Sequence, residues 1–164
     1  MRREDFIPDV TPDKLEAGTY AYENVAGMEA AVAYLEQLGT GSTRTLAIRS
    51  AMTAIAAYER TLSAALLDEA ATVKGLTVHG VTDRARLHER VPTLCFSVAG
   101  IESSAIADGL AARGIGGRSG HMYSPRLLRK LGLLPGGAVR VSLVHYNTLA
   151  EITRFGEALR DVVE

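Results

Sequence analysis

The chain has 164 residues, enough for one folded domain with a substantial core and short of two comfortable ones. Apolar residues make up 47% and charged residues 23%, an ordinary globular balance that excludes disordered, collagen-like and mucin-like compositions. Eighteen Lys and Arg offset nineteen Asp and Glu to a net charge of -1, and the basic residues are dispersed, so neither nucleic acid nor a membrane surface is an expected partner.

In chain order, Pro8, Pro12 and Gly18 interrupt a stretch without period, so the first twenty-odd residues are expected to form an extended N-terminal arm. Val25, Met28, Val32, Leu35 and Leu38 then recur three or four apart, which predicts a helix with one oily face, stopped by Gly39. After a Gly/Thr/Ser break at Thr40 to Thr43, the spacing of Ile48, Met52, Ile55, Leu62, Leu66 and Val73 predicts a longer, alanine-rich helix ending at Gly75. From Leu76 the chain becomes α+β, because β-branched residues appear in short runs bounded by glycine, proline and charge. Leu76 to His79 is a short strand, Gly80 to Arg90 a charged loop, and Thr93 to Val98 a strand whose mostly apolar content implies burial on both faces.

A helix carrying Ile106 and Leu110 on one side is expected next, ended by Gly114 and followed by a short strand around Ile115 to Arg118. Ser124-Pro125 opens a short helix through Leu127, Leu128 and Leu131, and Val139 to Leu143 is the last strand. Thr148 and Glu151 form a capping box for a closing helix with Ile152, Phe155, Leu159 and Val162 as its buried stripe. The expected division lies between an arm and linking helix, residues 1–43, and a compact α+β body, residues 44–164.

The lone Cys95 cannot form an internal disulfide, which points to a reducing compartment or to indifference about redox, with the cytoplasm as the default expectation. It sits between Leu94 and Phe96 with no cationic neighbour in sequence, so it is expected to serve as a small core hydrophobe. The longest uncharged stretch, Val91 to Ile101, is too short for a membrane span, and the opening residues lead into no signal-peptide core. His79, His88, His121 and His145 lack the spacing of a metal site, so no metal is expected. The glycine-rich run Gly114 to Gly120 follows a helix and not a strand, which removes support for a nucleotide-binding turn.

Two features carry more chemistry. Alternation in Ala138-Val139-Arg140-Val141-Ser142 sends Val139 and Val141 to one face and leaves Arg140 on the other between small residues. A guanidinium with room around it suits bidentate recognition of a carboxylate, although periodicity alone favours a solvated arginine. The stretch Gly114 to Ser124 places Arg118, His121 and Tyr123 in a loop too glycine-rich for a plain connector, and loops of that kind often carry function. A strand end and helix cap with incidental polar residues accounts for it equally well.

Four segments together resemble the C-terminal portion of class V aminotransferases, in particular their cysteine desulfurase-like branch. These are Pro12-Asp13-Lys14-Leu15-Glu16-Ala17-Gly18-Thr19, Val25-Ala26-Gly27-Met28 with Ala30 to Leu35, Arg118-Ser119-Gly120-His121, and Val139 to Ile152. The resemblance implies a fold type I enzyme dependent on pyridoxal 5′-phosphate, working as a homodimer on a small amino acid. Residues 44–164 would be its small C-terminal domain, a short, mostly antiparallel sheet packed with helices. Residues 1–43 would be the end of the large-domain region.

Carried over by resemblance, Arg140 grips the substrate carboxylate, Arg118 and His121 belong to the substrate-side loop, and Gly18 and Thr19 reach the cofactor phosphate of the neighbouring subunit. None of the three lysines, Lys14, Lys74 and Lys130, occupies the Schiff-base position, so this chain is expected to hold no catalytic residue and to bind no cofactor alone. Tyr123 stands where desulfurases of this kind place cysteine, and a phenol cannot carry sulfur as a persulfide. A desulfurase-like lyase or an aminotransferase is therefore implied. The rival expectation is a non-catalytic binding or dimerisation module that keeps the small-domain fold. A separated portion of this kind would also expose an apolar patch near its first helix.

Overall fold

Period-two alternation and apolar recurrences three to four apart become four short strands and five α-helices in a computed structural model that describes residues 7–15 and 18–164. The chain forms two compact units, Met1–Met52 and Thr53–Glu164.

In the first unit, Val10 to Leu15 form turns in which Lys14 N–H donates to the Val10 carbonyl and Leu15 N–H to that of Pro12. The Glu16-Ala17 pair of the arm motif lies outside the described residues, as do residues 1–6. Helix α1, Tyr22–Gln37, has no buried residue, so the oily stripe with Val25 and Met28 lies open. Gly39 follows the helix without a left-handed backbone, since its φ is not positive. A Cβ there would run into the backbone of Ala47 and Ala51, so the glycine lets the connection pass against helix α2, Arg44–Thr72.

The second unit contains the remainder of α2 and one antiparallel sheet. Its strands β1 (Leu76–Val78), β2 (Thr93–Val98), β3 (Arg118–Gly120) and β4 (Ala138–Ser142) lie in the order β1-β2-β4-β3. Leu62 and Leu66 of α2, with Val73 just past its end, join Leu94, Phe96, Val98, Val139 and Val141 in one core. Helices α3 (Ser103–Ala112) and α5 (Leu149–Val163) close the same face with Ile106, Leu110, Ile152, Phe155 and Leu159. The Phe96 and Phe155 rings meet edge to face at 6.4 Å. The short helix α4, Pro125–Lys130, begins with proline at its first turn and buries only Leu128.

Three expectations are corrected here. Strand β2 is buried on one face only: Leu94, Phe96 and Val98 point into the core, while Thr93, Cys95 and Ser97 are half-buried on the other face. Small polar residues at every second position obey the alternation of a sheet with one open side, a stronger signal than overall apolar content. The third strand occupies 118–120 and not 115–118, because Gly114 at φ +72° and the flanking Gly116 and Gly117 carry the chain from α3 to the sheet edge. The charged loop holds a 3-10 segment, Arg84–Glu89, capped where Asp83 accepts from Ala85 N–H.

Arg90 anchors that loop by donating to the carbonyls of Val81 and Thr93, the latter at 2.6 Å, and partial burial pulls its guanidinium below its ordinary range. The capping box of α5 forms as expected: Thr148 N–H donates to Glu151 Oε2 at 2.7 Å, and Glu151 N–H donates back to Thr148 Oγ1 at 3.3 Å. The Thr148 backbone N–H, helped by the Asn147 side chain and the Thr148 hydroxyl, holds the Glu151 carboxyl below the usual carboxylate range.

Candidate functional site

With Val139 and Val141 locked into the core, the pleat of β4 sends Arg140 and Ser142 to the open face of the sheet. The register then decides what Arg140 meets. Its partner in β2 is Cys95, and its partner in β3 is Arg118. Directly paired residues share a face, so Cys95, Arg140 and Arg118 form one row across three strands. His79, beyond the end of β1, continues the row by donating its N–H to the Cys95 carbonyl at 2.8 Å. Its imidazole Nε2 lies 2.9 Å from the Ser97 hydroxyl.

An open hollow of about 300 Å³ lies over the Arg end of this row, lined by Gly116, Gly117, Arg118, Arg140 and Ser142. The Ser142 hydroxyl accepts from Thr93 Oγ1 at 3.1 Å. Gly116 and Ser142 also line a second hollow of about 270 Å³ that runs toward Asn147 and Glu151 at the start of α5. No carboxylate lines the first hollow, and among the described residues neither Arg118 nor Arg140 has an acidic partner. Two exposed guanidinium forks beside a small, glycine-lined space have the charge and the donor geometry that suit an anion.

His121 follows the end of β3 and does not line the hollow, so the structure brings together two of the three substrate-side residues named from the sequence. The turn beyond it is strained: Met122 at φ 47° and Tyr123 at φ 61° both occupy the left-handed region. Each such residue costs about 1 kcal/mol or more. The turn is held by Tyr123 N–H donating to His121 Nδ1 at 3.1 Å and Ser124 N–H donating to the His121 carbonyl at 2.8 Å. Because Nδ1 accepts, the proton of the neutral ring sits on Nε2. Tyr123 is 90% exposed at the tip.

Gly18 and Thr19 belong to the first unit. Gly18 adopts φ +92° with no atom within 4 Å of where a Cβ would stand, and Thr19 is exposed. A backbone so open permits the close approach that a phosphate needs. Among the described residues, no three His, Cys, Asp or Glu side chains are grouped to hold a metal, and no helix is long and apolar enough to cross a membrane.

Cys95 departs from the expected core role. It is half-buried on the open face with Arg140 as its strand neighbour, a cation that only the register reveals. Burial pushes its thiol up, and the Arg140 guanidinium opposes that shift without cancelling it. The thiolate is therefore scarce at neutral pH. Alkylation by iodoacetamide is expected to accelerate about tenfold per pH unit between about pH 7 and pH 9. Arg140→Gln should slow it further at each pH, and a rate independent of pH over that interval would contradict the assignment.

Residues 4–155 match the family Aminotransferase class-V. The aminotransferase-like protein FGM3 of Gibberella zeae is 35% identical over 161 residues, which is 96% of this chain and 38% of that protein. A probable cysteine desulfurase of Mycolicibacterium paratuberculosis is 34% identical over 153 residues, covering 93% of this chain and 20% of the relative. The cysteine desulfurase CsdA of Escherichia coli superposes with a TM-score of 0.70 at 27% identity, over 92% of this chain and 33% of that structure. The cysteine desulfurase of Thermococcus onnurineus NA1 gives 0.72 at 26% identity, over 93% and 34%. The chain thus spans between a fifth and two-fifths of the length of these relatives. The match runs through the arm, the sheet and the loop beside the paired arginines, and with it the chain belongs to the pyridoxal-phosphate-dependent class V aminotransferase family, on the cysteine desulfurase-like side.

Proposed function

We propose that this chain is the C-terminal portion of a cytoplasmic, homodimeric, cysteine desulfurase-like enzyme that acts on a small amino acid and captures its α-carboxylate through Arg140. The observation that carries this reading is the placement of Arg140 on the open sheet face, opposite Arg118, over a hollow without an acid. Arg140 supplies the bidentate fork, Arg118 adds cationic field beside it, and His121 stands one step past the strand end. The open backbone of Gly18 and the exposed hydroxyl of Thr19 suit the cofactor phosphate of a neighbouring subunit. When bound, pyridoxal phosphate supplies the electron sink for bond cleavage at the amino acid. This chain contributes orientation and carboxylate capture. Residues 44–164 serve as the small domain and residues 1–43 as the end of the large-domain region.

In this reading none of Lys14, Lys74 and Lys130 holds the cofactor. Mixing the purified chain with pyridoxal phosphate should give no stoichiometric absorbance band that depends on one lysine. A one-to-one band abolished by changing any single one of the three would overturn the assignment.

A further inference from the structure

We propose that this site selects an amino acid bearing a second acidic group on its side chain, with Arg140 meeting one anion and Arg118 the other. The inference rests on the reading of Arg140 as the carboxylate receptor and extends it to substrate class. Arg118 and Arg140 are direct partners in the β3–β4 register. Opposed side chains of an antiparallel pair begin about 5 Å apart at Cβ, and like charges in that position repel. Among the described residues neither guanidinium has an acidic partner to offset that repulsion.

The rest of the row supplies no counter-charge. Cys95, on the other side of Arg140, is a thiol that burial keeps protonated at neutral pH. Ser142, Gly116 and Gly117 complete the lining with no carboxylate and little side-chain bulk. A Cβ on Gly116 would meet nothing within 4 Å, so the space is open and not merely unfilled by a small residue in a tight contact. A monocarboxylic amino acid would answer one of the two positive charges. A short dicarboxylic amino acid, whose acid groups are separated by only a few carbons, answers both across the width of one strand pair. The hollow, at about 300 Å³, is at the lower end of small-ligand sites and suits a compound of that size.

The test titrates the 164-residue chain with aspartate, alanine and inorganic phosphate at matched ionic strength while following the Nε–H signals of Arg118 and Arg140. Aspartate is expected to bind about tenfold more tightly than alanine, moving both signals together, and Arg118→Gln should shrink that preference to within about twofold. Equal affinity for aspartate and alanine would overturn the inference. So would a preference that survives Arg118→Gln, or phosphate binding more tightly than aspartate. The two readings fail separately. Alanine that moves the Arg140 signal while aspartate binds no better removes the second anion and leaves the carboxylate receptor. Unchanged binding of both amino acids to Arg140→Gln removes the receptor itself, and the inference with it.

Discussion

Replacing Arg140 with alanine in the full-length enzyme is expected to weaken amino-acid substrate binding by roughly 10- to 100-fold, the range of a lost charged hydrogen-bonding pair, and to affect cofactor retention far less. The asymmetry follows from location. Arg140 stands on the open sheet face with Arg118, Ser142 and two glycines, whereas the segment suited to the phosphate is Gly18 and Thr19. Val139 and Val141 keep the backbone of β4 in place when the side chain at 140 is shortened, so the fold should survive. Arg140→Lys should recover only part of the loss, because an ammonium keeps the charge and lacks the planar fork. Equal losses of substrate and cofactor affinity would remove the proposed role.

Elements specified by local chemistry are legible in the sequence. The capping box at Thr148 and Glu151, with Ile152, Phe155 and Leu159 behind it, contains the start, the face and the length of α5 within fifteen residues. The alternation around Arg140 likewise fixed which side of β4 it takes. What stayed hidden depends on pairing between distant segments. Nothing near Cys95 in the chain is cationic, yet the β2–β4 register sets Arg140 beside it. The facing of Arg118 with Arg140 depends on β3, whose strand signal is masked by glycines at 116, 117 and 120. The stripe of α1 illustrates another limit. A three-to-four spacing states that a helix has an oily face, and it carries no information on whether the covering surface belongs to the same chain, as the exposure of Val25 and Met28 shows.

A close backbone approach beside the β3–β4 pair predicts a large stability effect outside the apolar core. Gly137 sits just before β4 at φ +77°, and a Cβ there would collide with the backbone of Gly120, whose carbonyl oxygen would be 2.7 Å away. Gly120 is the last residue of β3 and pairs with Ala138, and its own φ is +100°. An alanine at 137 must therefore accept a left-handed backbone and also push apart two strands whose atoms are main chain and cannot swing aside. The first term costs about 1–2 kcal/mol and the second about 1–3. Gly137→Ala should thus destabilise the fold by about 2–5 kcal/mol, lowering Tm by roughly 5–15 °C. Gly132→Ala is the matched comparison: φ is +73° there, but a Cβ would meet nothing within 4 Å, so only the backbone term applies. If the two variants melt at the same temperature, backbone conformation alone sets the requirement and the strand contact contributes nothing. If Gly137→Ala melts well below Gly132→Ala, the close approach of Gly137 to Gly120 is a packing requirement of the β3–β4 pair. The same variant should then shift the Arg118 Nε–H signal even at temperatures where it remains folded.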